Sequence, residues 1–199
     1  MLRTVGGTGF PTIAFMDQAG ELITKHAGPR TAAGFASTAQ AIELKAKAEA
    51  MVAKGDKAAA AALLIAELNL GQHSYEEAKA AFDGLKVVTD EQSAEIAKLM
   101  ATLEFDELFG QKRASKISDE DFSKKVMAMM EAGRVPEGEG AWAFWFYGVF
   151  ESTKDSDKAM ATKALDKLAT FSMFETGRNK TLLENLRKGL ESDGEDKDK

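Results

Sequence analysis

The fold is decided by the stretch Gly6-Gly7-Thr8-Gly9-Phe10-Pro11-Thr12-Ile13-Ala14-Phe15-Met16 and by the segment 17–28 that follows it. A glycine-rich loop leads to a proline at the start of an apolar strand. The next four residues have the composition of a turn, with Gly20 at the position that needs a left-handed backbone. The segment 21–28 then returns as a second strand. We therefore predict a β-hairpin here, and the rest of the chain shows no other clear strand pattern.

Helical periodicity dominates the sequence after residue 28. Apolar residues recur every three or four positions, in runs that begin after possible N-cap residues and end at glycines. The possible N-caps are Thr31, Asp56, Ser74, Thr89, Ser118, the group Asp155-Ser156-Asp157, and Asn179. Helices of about 12 to 20 residues joined by short loops are typical of an antiparallel array. The predicted fold class is therefore mainly α with a small N-terminal β-hairpin (α+β).

Three features of the predicted helices can be checked closely. The helix that begins at Thr89 should end before Gly110. The aromatic segment 141–150 should be the most enclosed helix of the C-terminal half, because it is apolar all round. Its aromatic side chains could instead line a ligand pocket, although such a run is more often core. The last helix should begin at Asn179 and turn four leucines inward, namely Leu182, Leu183, Leu186 and Leu190.

The order of proline, hairpin and Thr31-led helix resembles the second half of a thioredoxin fold. In that family the proline carries a cis peptide bond beside the redox cysteines, and the backbone before it pairs with the bound substrate strand. The resemblance covers roughly residues 5–45 and implies that Phe10, Pro11 and Thr12 form a substrate-binding loop. It also favours a cis bond at Pro11, the alternative being an ordinary trans proline at a strand start.

The chain departs from the thioredoxin pattern in two ways. It contains no cysteine, and about ten residues precede Pro11. The first strand of the family, the helix with Cys-x-x-Cys and the following strand therefore have no counterpart in this sequence. As it stands, the chain has no thiol for exchange chemistry and is not an enzyme of that kind. It would be a thiol–disulfide oxidoreductase only if an upstream half supplied the cysteines.

A second resemblance lies in the sequence that follows Leu70. The residues Leu70-Gly71, Tyr75-Glu76-Glu77-Ala78 and Phe82 are similar to a tetratricopeptide repeat, in which small and large side chains alternate so that two helices pack closely. Two extra residues separate Gly71 from Tyr75, and the closing proline is absent, so the repeat is degenerate. We predict a partial thioredoxin-like segment at 1–54, a helical, tetratricopeptide-like domain at 55–190 and an acidic, disordered tail at 191–199.

Composition restricts the classes of partner. The net charge of −6 and the absence of a basic stripe argue against nucleic acid, because phosphate binding depends on clustered Lys and Arg. The longest apolar run, 141–150, has about half of the roughly 20 residues that a membrane-spanning helix needs. The first residues lack the apolar core of a signal peptide. We predict a protein or peptide partner, no membrane, and a soluble, cytoplasmic location unless an upstream signal is missing.

No catalytic, metal or cofactor site is predicted. His26 and His73 are the only histidines, and neither has a second histidine or an acid at a metal-ligand spacing. The paired acids Glu76 and Glu77, and those at 119–121, fall in first turns of helices, where the helix dipole explains them. The glycine-rich loop 6–9 lacks the following helix and lysine of a phosphate-binding loop.

The hairpin poses a physical problem, because two isolated strands are marginally stable in water. Three solutions are open: the chain belongs to a longer protein, another chain completes the sheet edge, or the helical domain folds over the hairpin. Our leading hypothesis is a C-terminal portion of a thioredoxin-family protein with a helical interaction domain. The alternative is a non-catalytic helical-repeat module that binds protein. A third idea is recruitment of a peptide by the exposed strand edge.

Overall fold

A computed structural model of the protein describes residues 13–26 and 30–195. This part of the chain is mainly helical and carries one small antiparallel hairpin, which confirms the predicted fold class. The predicted substrate-binding residues Phe10, Pro11 and Thr12 lie outside the described residues, and so does the peptide bond at Pro11. Within the described residues no helix is both long and apolar enough to cross a bilayer.

The hairpin consists of β1 (Ala14–Met16) and β2 (Leu22–Lys25). Phe15 lies opposite Thr24, and the next pair joins Met16 to Leu22, so the register passes over Ile23. Ile23 is therefore the extra residue of a β-bulge in β2.

The turn between the strands is fixed by Asp17. Its carboxylate accepts hydrogen bonds from the amides of Ala19 (2.9 Å) and Glu21 (2.8 Å). Gly20 has a φ of +82°, as the sequence predicts, and a glycine adopts this left-handed conformation without the strain that a Cβ would cause. The residues of the turn itself therefore determine how the chain reverses direction.

Eight α-helices follow among the described residues, several with the predicted caps. The hydroxyl of Thr31 accepts from Gly34 N (3.1 Å), and that of Ser118 accepts from Asp121 N (3.0 Å). Thr89 and Gln92 bond each other reciprocally, as in a capping box. The helices are α1 (Ala32–Val52), α2 (Ala59–Asn69), α3 (Tyr75–Asp83), α4 (Asp90–Arg113), α5 (Asp119–Glu131), α6 (Glu151–Thr153), α7 (Lys158–Leu168) and α8 (Gly177–Glu195).

Two predicted helix ends are wrong. Helix α4 does not stop before Gly110 but continues to Arg113, because Phe105 and Leu108 are buried in the core and keep the helix in place past a glycine that costs only about 1 kcal/mol. Helix α8 begins at Gly177, so Asn179 lies inside its first turn. The amide of Asn179 donates instead to the carbonyl of Met173 (2.9 Å).

The inward face of α8 is also narrower than predicted. Leu183 is 4% exposed and Leu186 and Leu190 pack on the core, whereas Leu182 is 40% exposed. Adjacent residues on a helix differ by about 100° in direction, so Leu182 and Leu183 cannot both face the core fully. The helix reaches Glu195 and so continues into the segment 191–199 that the sequence predicts to be a disordered tail.

The chain forms two compact units, one up to Met100 and one from Ala101, and the division falls within α4. In the first unit, α1 packs along α2, and α2 packs on α3. Small side chains fill these contacts and allow the helices to approach closely. The buried alanines are Ala41, Ala48, Ala59, Ala61, Ala66 and Ala78. The sequence-based domains 1–54, 55–190 and 191–199 stay a prediction.

The core of the second unit surrounds the aromatic segment. Residues Phe144–Phe150 form wide π-helical turns, and α5 and α7 pack on them. Phe144 and Phe150 are buried while Tyr147 is 36% exposed, so the segment is enclosed on most sides but not on all. A Cβ on Gly148 would lie 2.9 Å from a methyl carbon of Val126, which shows how closely α5 approaches.

Candidate functional site

The outer edge of β1 is the first component of the candidate site. His26 N donates to Ile13 O (2.9 Å) and Asp17 N to Glu21 O (2.9 Å), so the inward-pointing groups of this strand are paired with the return strand. Because backbone groups alternate along a strand, those of Ala14 and Met16 point away from β2. Among the described residues the sheet has two strands, and none pairs with this outer edge.

The second component holds β2 on the helices of the first unit. The hydroxyl of Thr24, a residue only 9% exposed, donates to the carbonyl of Leu70 at the end of α2 (3.2 Å). The amide of Gln72 donates to the carbonyl of Ile23, the bulge residue (3.4 Å). These two bonds place the connection between α2 and α3 against β2.

A chain of charged groups continues from Gln72. The ammonium of Lys45 donates to Gln72 Oε1 (2.7 Å) and lies 3.9 Å from Glu67 Oε1. Glu67 Oε2 is in turn 2.9 Å from His73 Nε2. We call Thr24, Lys45, Glu67, Gln72 and His73 the anchoring network. It links β2, α1, α2 and the connection after α2.

The anchoring network has the geometry of a support and not of a catalytic centre. A histidine paired with a carboxylate could activate a nucleophile, but the neighbouring hydroxyl of Ser74 donates to Glu77 (2.8 Å). Within the described part of the chain, no group of three or more metal-binding side chains comes together. His26 makes separate contacts: Nδ1 lies 2.9 Å from Thr38 Oγ1, and the ring lies 4.7 Å from that of Phe35, with the two planes tilted by 60°.

The third component is an apolar pair at the turn end of the hairpin. Met16 and Leu22 are opposite each other in the register and are 48% and 42% exposed. Cross-strand pairs of this kind normally contribute to sheet stability through mutual contact and burial. Here both side chains remain open to a partner, next to the free edge of β1.

A capping box beside the anchoring network contains a carboxyl group whose pKa is lowered. Ser74 donates to Glu77 from its backbone and from its hydroxyl, and these bonds lower the pKa of the Glu77 carboxyl. A lowered pKa in the folded state means that the bonds stabilise α3 above the ordinary pKa of glutamate and are lost as the pH falls through the folded value.

We therefore expect the amide of Ser74 to shift in NMR spectra as the pH falls below the ordinary pKa of glutamate. Glu77→Gln should remove this titration, because the amide stays uncharged over the range. Glu76→Gln, in the same first turn, is the matched control and should leave it in place. A Ser74 titration that persists in the Glu77→Gln protein would contradict the capping geometry.

Sequence reasoning identified the hairpin but not the anchoring network. Thr24 lies in an apolar strand where a single hydroxyl gives no signal of its own, and Gln72 lies in a polar connection. The proposed loop Phe10, Pro11 and Thr12 precedes β1 directly, but its relation to the network is outside the described residues.

The comparisons with known proteins leave the two resemblances untested. No model of a protein family, no curated protein and no solved structure matches this chain.

Proposed function

We propose that this chain is the C-terminal part of a thioredoxin-like protein, with its sheet completed at the outer edge of β1 and a helical region that binds a protein partner. The chain itself acts by binding. It contains no cysteine, so dithiol exchange would require cysteines from sequence outside it. Phe10, Pro11 and Thr12 would then contribute the substrate-facing loop, as the resemblance implies.

The free outer edge of β1 is the observation that supports this proposal most. In thioredoxin-like proteins the strand after the proline pairs with a central strand on the side away from the hairpin partner. The outward groups of Ala14 and Met16 have no strand partner among the described residues. A hairpin alone is marginally stable, and each unpaired backbone group costs about 1–3 kcal/mol when it is buried. A further strand would satisfy these groups.

The anchoring network supports the same assignment. Thr24 and Gln72 bind β2 to the helices, so β2 already has neighbours on its own side. The side of the hairpin that remains open among the described residues is therefore that of β1. The exposed pair Met16 and Leu22 adds apolar surface beside it.

A second candidate function uses the same outer edge of β1 but does not require that the chain is related to thioredoxin. The chain would be a non-catalytic interaction module that recruits a segment of another protein by β-addition. The packing of α2 on α3, with Ala61 and Ala78 completely buried on these two helices, favours a helical-repeat module of this type. A Cys-x-x-Cys several tens of codons upstream in the same reading frame would favour the first candidate, and an in-frame stop codon immediately before Met1 would favour the second.

Both candidates predict that an extended peptide binds at β1, and Ala14→Pro tests this. Proline removes the outward N–H of residue 14 and is tolerated on edge strands, while the bond from His26 to Ile13 stays in place. We expect this change to weaken binding of a fluorescein-labelled peptide of alternating valine and threonine by about tenfold, since one hydrogen bond and the close approach of the strand are lost.

The matched control is Ala14→Ser, which changes the side chain but keeps the N–H donor. Fluorescence anisotropy should show the Ala14→Ser protein binding within about twofold of the wild type. Equal affinities for the Ala14→Pro and Ala14→Ser proteins, or no saturable binding by the wild type, would rule out β1 as the site of strand addition.

A further inference from the structure

A shallow depression lies in the first unit, where α1 ends, α2 begins and the chain leaves α3. Its volume is about 280 Å³. We use floor for the apolar lining residues Val52, Ala60 and Leu85, and rim for the two exposed lysines that also line the depression, Lys57 and Lys86. We call this feature the basic depression. It involves none of the residues of the hairpin or of the anchoring network.

Some lysines of the described residues pair with a nearby acid, and others, such as Lys47, do not. Lys79, Lys124 and Lys154 each pair with an acid three or four residues away. In contrast, Lys57 and Lys86 have no ion pair or side-chain hydrogen bond with any described residue. Their ammonium groups are therefore available to an acidic ligand, in a protein whose net charge is −6.

One acid lines the basic depression, and its charge is already engaged. The carboxylate of Asp56 accepts from the amide of Ala58 (2.9 Å) and more weakly from that of Ala59 (3.4 Å), at the start of α2. An aspartate in this position compensates the partial positive charge of the helix start. It does not neutralise the two lysines, so the rim keeps an excess of positive charge.

Exposed apolar side chains flank the basic depression in the chain. Met51, next to Val52 at the end of α1, is 47% exposed. Val87 and Val88 follow Lys86 directly and are 47% and 39% exposed. Single exposed apolar residues are ordinary, but a group of them beside a concave apolar floor is typical of an interaction surface.

We propose that the basic depression binds an acidic peptide segment of a protein partner. An apolar side chain of the segment would occupy the floor, and carboxylates on either side would pair with Lys57 and Lys86. The volume lies below the range of about 300–1,000 Å³ that small-molecule sites occupy, which favours one side chain of a peptide over a whole ligand. This inference rests on the proposed function only in that a protein partner exists.

The test uses the full chain and two fluorescein-labelled peptides. One has a central leucine flanked by glutamates, and the other has the same leucine flanked by lysines. We expect saturable binding of the acidic peptide alone, and we expect its affinity to fall as salt screens the charges. The double variant Lys57→Glu and Lys86→Glu should weaken this binding by about tenfold or more, because attraction becomes repulsion.

Lys47→Glu is the matched control. Lys47 is an exposed lysine of α1 without a partner among the described residues, five positions before Val52 and hence about 140° away around the helix. Its reversal should change the affinity by less than about twofold. The double variant Lys57→Ala and Lys86→Ala removes both positive charges without reversing them and leaves the apolar lining residues unchanged.

Three results would overturn the proposal: no saturable binding of the acidic peptide, equal binding of the acidic and basic peptides, or equal effects of the double variant and of Lys47→Glu. The outcome is separable from that of the β1 test. Ala14→Pro should leave binding of the acidic peptide unchanged, and the double lysine variant should leave binding of the valine–threonine peptide unchanged.

Discussion

Phe144→Ala should destabilise the second unit by about 3–5 kcal/mol, the range for a buried phenylalanine cut to alanine. The side chain is completely buried. Its ring meets the rings of Phe105 at 5.3 Å and Trp145 at 5.6 Å, so the substitution leaves a cavity among rigid aromatic neighbours. Such a loss is a large part of the total stability of a domain.

Urea unfolding followed by tryptophan fluorescence is the appropriate measurement, because both tryptophans, Trp142 and Trp145, belong to this unit. Met173→Ala is the control, since Met173 is 40% exposed and its loss should cost less than about 1 kcal/mol. If both variants unfold at the same urea concentration, the aromatic segment is not the centre of this core.

Leu183→Ala should destabilise the protein by about 2–5 kcal/mol, whereas Leu182→Ala should cost less than about 1 kcal/mol. The two leucines are adjacent on α8 and chemically identical, so they form a matched pair. Leu183 is 4% exposed in the core of the second unit, and Leu182 is 40% exposed. The difference between them measures burial alone.

The same fluorescence-monitored urea unfolding gives both values. The sequence predicts that the two leucines face inward together, and that prediction would require similar losses. Similar losses would therefore contradict the orientation of α8 described above. A larger loss for Leu182→Ala would place the opposite face of the helix on the core.

Local chemistry explains which parts of the fold the sequence could predict. The cap residues Thr31, Ser118 and Asp157 bond to amides three residues later, so each cap is specified within one turn of sequence. The hairpin turn is local for the same reason, since Asp17 and Gly20 determine it. Elements that depend on a few neighbouring residues were predicted correctly.

The errors arise where the limits of a helix depend on packing between residues that are distant in sequence. Helix α4 passes Gly110 because its buried residues hold it in the core, and Asn179 is used by the carbonyl of Met173 and not as a cap. The π-helical turns of Phe144–Phe150 have no sequence signal that we can identify. Their wider turns accompany the close approach of Val126 to Gly148.

The candidate site shows the same division. The hairpin with its free edge follows from proline, turn and strand patterns. The anchoring network does not, because Thr24 and Leu70 are 46 residues apart in sequence and Ile23 and Gln72 are 49 apart. No spacing rule connects such positions in a single sequence. The network also explains in part how a hairpin of two strands is stabilised, because helices of the first unit support β2 directly.

Hydrogen exchange at β1 tests the central claim, that this strand accepts a further strand at its outer edge. The amides of Ala14 and Met16 should exchange fast in the free protein and slow down when the valine–threonine peptide is added. The amide of Phe15 points toward β2 and should change little, so protection should alternate along the strand. Equal protection of all three amides, or no change at Ala14 and Met16 at saturating peptide, would contradict the account.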